Sequence, residues 1–245
     1  MRIFRVPVAA IDKEGMAFAG VLGRLTFRPN LLVRPGMVRS RYNPYGCDTR
    51  THKGVNMASF QVGYFVGSLS STSINRVLSK ALIRLAPDDL EFFEISIGDL
   101  PLYSPDYDAE YPSEATALKE AIVGADALLF VTPEYNRSIP GALKNAIDWA
   151  SRPWGDNSFD HMPTAIIGAS IGAIGTAVAQ QSLRAVLAFC NARQMTAPEA
   201  YIHFSPEVFG SDGEVRNDST EGFLRDFMAE FREHIQRVLT VLPRS

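Results

Sequence analysis

The chain has 245 residues, of which 46% are hydrophobic and 21% are charged, and its formal net charge is −3. This is an ordinary globular composition that supports one core and a tail. The two cysteines, Cys47 and Cys190, lack the spacing of a disulfide framework or a zinc site, so we expect a reducing cytoplasm. Residues 162–183 carry no charge, but their glycines and the pair Gln180–Gln181 favour a buried strand, a turn and a helix start over a membrane span.

A difference in charge separates the first 56 residues from the rest of the chain. They carry ten basic and three acidic side chains, whereas the remaining chain carries 14 basic and 24 acidic ones. Prolines and glycines interrupt this segment, which has no sustained strand or helix period. Three interpretations stay open: a basic, mostly disordered arm, an artefact of start-site choice with Met57 as the natural start, or a targeting peptide. Hydroxyl residues are few for a transit peptide, and no early apolar run marks a secretory signal, so the folded domain is expected over 57–245.

Strands and helices alternate after Met57. The pattern predicts strands at 60–67, 90–95, 126–132, 164–170 and within 194–204, and helices at 74–85, 114–125, 141–151, 175–192 and from about 221 to 239. The run at 126–132 is continuously apolar, which is typical of a strand covered on both faces. The alternation predicts an α/β three-layer sandwich with a five-stranded parallel sheet in the flavodoxin-like order 2-1-3-4-5. In such sheets ligands bind beyond the carboxyl ends of the strands.

Hydroxyl side chains crowd the connection between the first strand and the first helix. They are Ser68, Ser70, Ser71, Thr72 and Ser73. A helix N-terminus suits an anion, hydroxyls add donors that can surround a phosphate, and Asn75 can point its amide to the same anion. Ser73 can also cap the helix, and the nearest basic residue is Arg76, so neutral donors are expected to carry most of the binding. The alternative is a serine-rich turn whose hydroxyls only satisfy backbone groups; the motifs of a triphosphate P-loop and of a dinucleotide site are both missing from this sequence.

Two other loops are expected at the same edge of the sheet. The segment "TPEYNRSIPGALKNAIDW" follows the third strand, and two prolines stiffen its turn. Within it, Tyr135 can flank a planar ring and Asn136 can hydrogen-bond to one. The segment "GASIGAIG" follows the fourth strand, where Gly172 and Gly175 permit close backbone approach. Together the loops describe a phosphate cradle and a platform for a flat ring.

At these three loops the chain resembles the NADPH-dependent FMN reductase family, the flavodoxin-like quinone and chromate reductases. The segments that carry the resemblance are "GSLSSTSIN", "TPEYNRSIPGALKNAIDW" and "GASIGAIGT", and it extends over about residues 60–239. It implies FMN bound non-covalently. The phosphate would be held by Ser68, Ser70, Ser73 and Asn75 beside Ile74, the isoalloxazine would lie along Pro133, Glu134, Tyr135 and Asn136, and Ser170 and Gly172 would close the other side. Many members have arginine where Ser70 stands, so a cationic partner for the phosphate is missing here.

The resemblance also implies the chemistry. In this family NADPH or NADH gives a hydride to flavin N5, and the flavin passes electrons to quinones, chromate, azo compounds or free flavin. No catalytic side chain and no metal are therefore expected. We also expect a small-molecule acceptor, a homodimer or homotetramer, and no nucleic-acid or membrane partner. The alternative is a flavodoxin-like electron carrier without its own NAD(P)H site.

Several residues near these loops have more than one interpretation. Arg137 is a contact for the pyridine nucleotide or a solvated surface residue. The cluster of Tyr103, Tyr107 and Tyr111 borders the site or a subunit interface, or forms an ordinary proline-rich surface loop. Trp149 is expected to pack its helix.

Overall fold

The computed structural model of the protein describes residues 59–243. Its strands are β1 (Phe60–Val66), β2 (Leu90–Glu94), β3 (Ala127–Val131), β4 (Pro163–Ser170), β5 (Arg193–Gln194) and β6 (Tyr201–His203). Its helices are α1 (Ile74–Leu85), α2 (Ser113–Val123), α3 (Gly141–Ala150), α4 (Ala177–Phe189) and α5 (Asp218–Val241). The predicted arm, residues 1–56, and Met57 lie outside the described residues, so the boundary between arm and domain stays a prediction.

The strands form a parallel sheet in the order β2-β1-β3-β4-β5, which confirms the predicted order. Strand β3 is buried along its whole length. Because successive side chains of a strand point to opposite faces, Phe130 lies in the core beneath α2, α3 and α4, and Leu129 lies in the core beneath α1 and α5. Helices thus cover both faces of the sheet, and the molecule is the expected α/β three-layer sandwich.

Two short strands share the fifth position of the sheet, where the sequence predicts one strand within 194–204. Strand β5 pairs with the start of β4, and β6 pairs with its end, with Gly168 opposite Tyr201. Between them the chain leaves the ladder, and Pro198 in this segment has no N–H to donate to a neighbouring strand. The strand order is as predicted, but two short strands instead of one occupy the edge of the sheet beside β4.

Side-chain caps set where two helices begin. Helix α1 spans the predicted residues, since the Ser73 hydroxyl oxygen accepts a hydrogen bond from the Arg76 amide at 3.4 Å. Helix α5 is longer than the predicted 221–239, because the Asn217 side chain accepts a hydrogen bond from the Thr220 amide at 2.9 Å. The cap at Ser73 places the hydroxyl residues directly before the first turn of α1.

Candidate flavin-binding site

Three loops meet at the carboxyl edge of the parallel sheet. They are the hydroxyl loop (residues 67–73) after β1, the proline loop (residues 132–140) after β3 and the glycine loop (residues 171–176) after β4. Backbone hydrogen bonds join their first residues to the neighbouring strands: the Gly67 amide donates to the Val131 carbonyl at 2.9 Å, and the Thr132 amide donates to the Ile167 carbonyl at 3.0 Å. The sheet order therefore brings the three loops singled out in the sequence to one edge.

The bases of these loops pack so closely that side chains are excluded at two glycines. A Cβ at Gly168 would lie 2.1 Å from the Thr132 carbonyl oxygen and 2.4 Å from the Thr176 hydroxyl oxygen. A Cβ at Gly67 would lie 2.6 Å from the Thr132 hydroxyl oxygen. Of the two glycines singled out in the sequence, Gly175 has a φ of 60° and a Cβ there would lie 3.1 Å from the Tyr201 Cβ, whereas a Cβ at Gly172 would make only ordinary contact. The importance of Gly67 and Gly168 depends on contacts between strands, which the sequence pattern does not reveal.

The hydroxyl loop combines buried and exposed serines. Ser68 and Ser73 are buried, whereas Ser70 and Ser71 are exposed. The Ser68 hydroxyl oxygen accepts a hydrogen bond from the Ser70 amide at 3.3 Å and lies 3.4 Å from the Tyr135 hydroxyl. These bonds satisfy backbone groups, as the turn interpretation expects, but each hydroxyl keeps further hydrogen-bonding capacity for an anion.

Free backbone donors accompany these hydroxyls at the start of α1. In residues 59–243, no acceptor lies within hydrogen-bonding distance of the Ser71, Ile74 or Asn75 amides. The Ile74 and Asn75 amides lie in the first turn of α1, where unpaired amides are normal and point along the axis at which an anion is stabilised. The donor set therefore fits a phosphate group, which is the part of FMN that the sequence assigned to this loop.

Arg76 does not face the hydroxyl loop as a free cation. Its guanidinium lies 2.6 Å from a Glu94 carboxylate oxygen on β2, and the Tyr64 hydroxyl donates to the same carboxylate at 3.4 Å. Burial and the nearby Glu94 raise the pKa of Tyr64. With Arg76 paired in this way, neutral hydroxyls and amides are the donors left at the loop, as expected from the sequence.

Asn75 has a structural function that the sequence did not indicate. Its side-chain amide donates to the Ala169 carbonyl at 3.0 Å and accepts from the Ala169 amide at 2.8 Å, and the side chain is buried. The pair of bonds ties the first turn of α1 to the end of β4. One N–H of the Asn75 amide remains for another acceptor, so its contact with a phosphate stays a prediction.

The proline loop contains a tight turn with an unusual backbone. Tyr135 and Ser138 exchange backbone hydrogen bonds of 2.9 and 3.0 Å, and the two residues between them, Asn136 and Arg137, have φ angles of 51° and 65°. These are the features of a type I′ turn, which favours asparagine or glycine at both central positions. Arginine has no such preference, so Arg137 stores backbone strain within the loop.

The Glu134 side chain reaches the start of α4. Its carboxylate accepts hydrogen bonds from the Val178 and Ala179 amides in the first turn of α4, each at 3.0 Å. Arg137 lies 3.3 Å from the other carboxylate oxygen. Glu134 therefore joins the proline loop to α4, and its contact with a bound ring stays a prediction.

Three tyrosines enclose Trp149 near the end of α3. The rings of Tyr103, Tyr107 and Tyr111 lie 5.1, 5.8 and 5.1 Å from the Trp149 ring, which is fully buried. The indole N–H donates to the Pro101 carbonyl at 2.7 Å. Burial raises the pKa of Tyr111. These contacts attach the loop before α2 to α3, and Trp149 packs its helix as predicted.

The amino edge of the sheet lies opposite the three loops. A surface cavity of about 420 Å³ lies there, beside the end of α3 and the end of α4, and Arg152, Trp154 and Phe189 border it. It contains none of the residues predicted to bind a cofactor. Among residues 59–243, no helix is long and apolar enough to cross a membrane, and no His, Cys, Asp and Glu side chains gather in a group that could hold a metal ion.

Comparison with known proteins agrees with the fold. A family model described as NADPH-dependent FMN reductase matches residues 60–207. The chain is 48% identical over 173 residues to a 2-hydroxy-1,4-benzoquinone reductase of a Burkholderia species, covering 71% of this chain and 94% of that protein. It is 44% identical over 178 residues to a quinone reductase of Pseudomonas putida, covering 72% and 95%.

A solved structure is also similar over nearly its full length. The flavoenzyme NAD(P)H:(acceptor) oxidoreductase FerB of Paracoccus denitrificans superimposes with a TM-score of 0.71 at 45% identity, covering 73% of this chain and 98% of that one. The fold and the three loops define a flavodoxin-like flavin-binding protein. The chain belongs to the NADPH-dependent FMN reductase family, and it is an oxidoreductase that uses FMN and NAD(P)H.

Proposed function

We propose that the protein reduces quinones to hydroquinones, with NAD(P)H and a proton consumed and NAD(P)⁺ released. The proposal rests on one observation. Free donors that fit a phosphate lie at the start of α1, at the same edge of the sheet as two further loops. The quinone reductases of Burkholderia and Pseudomonas putida, at 48% and 44% identity, support this class of acceptor. FMN, when bound, supplies the transfer of two electrons between a nicotinamide and the acceptor.

The residues of the chain bind and orient. The hydroxyls of Ser68, Ser70 and Ser73, with the Ile74 and Asn75 amides, would hold the phosphate. The backbone of the proline loop, from Pro133 to Asn136 with the Tyr135 ring, would support the isoalloxazine, and Ser170 and Gly172 would border its other side. Because these groups act through hydrogen bonds and contact, the proposal assigns no acid, base or nucleophile to a side chain.

Apolar side chains at this edge favour a quinone over a small hydrated anion. Leu69 of the hydroxyl loop is 60% exposed, and Ile171 and Ile174 of the glycine loop are 77% and 49% exposed. Exposed apolar surface beside a binding site favours ligands with apolar area. We therefore rank quinones ahead of chromate as acceptors, with azo compounds and free flavin between them.

Rapid mixing of the holoprotein with NADPH and with NADH tests the proposed reaction. The account predicts that the flavin absorbance bleaches directly and returns when a quinone is added, with chromate a slower acceptor. A flavin that NAD(P)H does not reduce would identify an electron carrier instead. A reduced flavin that chromate reoxidises faster than any quinone would overturn the ranking of acceptors.

We also propose that the protein is a homodimer or homotetramer. Trp154 and Phe189, which border the cavity at the amino edge of the sheet, are 75% and 74% exposed. Adjacent exposed aromatic side chains of this size are typical of surfaces that another protein covers. Light scattering should give a dimer or tetramer for the wild type and a smaller species for the Trp154→Ser/Phe189→Ser variant, and a monomeric wild type would contradict this.

The folded domain is proposed to cover 57–245 and to act in the cytoplasm. The family model begins at residue 60, which supports a boundary near Met57. Cys190 is a buried free thiol whose pKa burial raises, which suits a reducing compartment. A chain that starts at Met57 should bind FMN as the full chain does, and loss of flavin binding would show that residues 1–56 take part in the fold. Cell fractionation tests the compartment.

A further inference from the structure

Helix α4, which follows the glycine loop, has no side-chain cap of its own. The residue at its N-cap position is Thr176, whose side chain makes no capping bond. Its hydroxyl instead accepts a hydrogen bond from the Gln180 side-chain amide at 2.9 Å, and both residues are fully buried. The first amides of α4 therefore need an acceptor from elsewhere, since unpaired amides near the protein interior are costly.

Glu134 supplies that acceptor from the neighbouring loop. A single carboxylate oxygen accepts from the Val178 amide and from the Ala179 amide, each at 3.0 Å, and the Glu134 side chain is only 10% exposed. Hydrogen bonds to an ionised acceptor are about twice as strong as neutral ones, and a negative charge is stabilised at a helix N-terminus. The interaction thus replaces the missing cap and is more than a surface ion pair.

The bond joins two of the three loops at the carboxyl edge. Glu134 belongs to the proline loop, and Val178 lies two residues beyond the end of the glycine loop. A shift of α4 relative to the proline loop would change the distance between the two loops. We propose that the Glu134 carboxylate is a positioning group that fixes the width of the slot for the isoalloxazine ring, acting through α4 without itself contacting the ring. This inference rests on the proposed flavin site.

The hydroxyl loop does not take part in this bond, so a positioning role of Glu134 can be distinguished from a contact with the phosphate. FMN and riboflavin share the ring, and only FMN carries the phosphate. A residue that positions the ring should therefore affect both flavins by the same factor. A residue that contacts the phosphate should affect FMN alone.

The test compares dissociation constants of FMN and riboflavin for the full chain and for Glu134→Ala, Glu134→Gln and Glu120→Ala. We expect Glu134→Ala to raise both constants by the same factor, on the order of tenfold. Glu134→Gln keeps an acceptor oxygen without the charge, so it should raise both constants less. Glu120→Ala removes an exposed carboxylate from α2 and should change neither constant. Amide hydrogen exchange should become faster at Val178 and Ala179 in Glu134→Ala and change less in Glu134→Gln.

The outcomes separate this inference from the proposed function. If the wild-type chain binds neither flavin, the flavin site itself is wrong. If the wild type binds FMN and Glu134→Ala weakens FMN alone, or neither flavin, the positioning role is refuted while the site stands. If Glu134→Ala does not fold, Glu134→Gln decides: unchanged constants with unchanged exchange at Val178 and Ala179 would overturn the proposal.

Discussion

At the scale of single residues, the site is defined by donors that have no partner within the described fold. The Ile74 and Asn75 amides are unpaired, the Arg76 guanidinium is held by Glu94, and the start of α4 is already occupied by the Glu134 carboxylate. An anionic group is therefore attracted to α1 and not to α4. The distribution of charge at this edge supports the proposed position of the phosphate at α1.

The serine hydroxyls can be tested by comparing FMN with riboflavin. Ser68→Ala and Ser73→Ala should each raise the dissociation constant of FMN by about tenfold, because a hydrogen bond to a charged group contributes roughly 1.5–3 kcal/mol. Riboflavin binding should stay nearly constant, since it has no phosphate. Ser73→Ala should also lower the free energy of unfolding of the flavin-free protein by about 1 kcal/mol, because Ser73 caps α1.

Ser71→Ala is the matched control for these substitutions, because Ser71 lies in the same loop and is exposed. It should leave both dissociation constants unchanged. Equal weakening of FMN and riboflavin by Ser68→Ala would mean that the hydroxyl only shapes the turn.

At the scale of helices and strands, the elements that depend on a local residue pattern were predicted from the sequence. Helix α1 was predicted with its limits because Ser73, a favourable cap, directly precedes an amphipathic run. Strand β3 was recognised because both its faces are apolar. The division of the fifth strand position was not predicted, since it depends on which residues oppose β4. The hydrogen bonds of the Glu134 and Asn75 side chains were not predicted either, because their partners lie 44 to 94 residues away in the chain. Such contacts leave no local pattern.

Because of the backbone of the proline-loop turn, we expect glycine at position 137 to give a more stable protein than alanine. Arg137 has a φ of 65°, a conformation that costs an L-residue about 1–2 kcal/mol and costs glycine nothing. Arg137→Gly and Arg137→Ala both remove the exposed pairing with Glu134, so their difference isolates the backbone. Urea unfolding of the flavin-free protein should find the glycine variant more stable by about 1 kcal/mol. An alanine variant of equal or greater stability would contradict the strained turn.

Helix α5 carries a histidine that links stability to pH. His234 is half-buried, its Nε2 lies 2.8 Å from the Arg193 carbonyl oxygen, and burial lowers its pKa below the ordinary 6.5. The folded state therefore favours the neutral ring. This contribution to stability is complete above about pH 6.5 and is lost as the pH falls through the lowered pKa, because the unfolded chain then binds the proton more readily.

The expected result is a larger loss of unfolding free energy between about pH 7.5 and about pH 5 for the wild type than for His234→Gln. His203→Gln, at an exposed position on β6, is the control and should behave as the wild type does. Identical pH profiles for the wild type and His234→Gln would show that His234 contributes nothing in this range.

At the scale of the whole molecule, the sheet order explains why distant segments form one site. The first, third and fourth strands lie side by side, so the loops that follow them meet although 97 residues separate the hydroxyl loop from the glycine loop. The opposite edge carries exposed aromatic side chains and a separate cavity. The proposed contact with a second protein would lie at that opposite edge, away from the three loops.

The flavin content of the purified full chain is the most direct test of the proposed cofactor. We expect a yellow protein that releases FMN, and not FAD, on denaturation. The flavin-free chain should take up FMN to saturation and regain reduction of quinones by NAD(P)H. FMN is expected because the donors at α1 suit a single phosphate and the sequence has no dinucleotide motif. A colourless protein that takes up no FMN on titration would contradict the account.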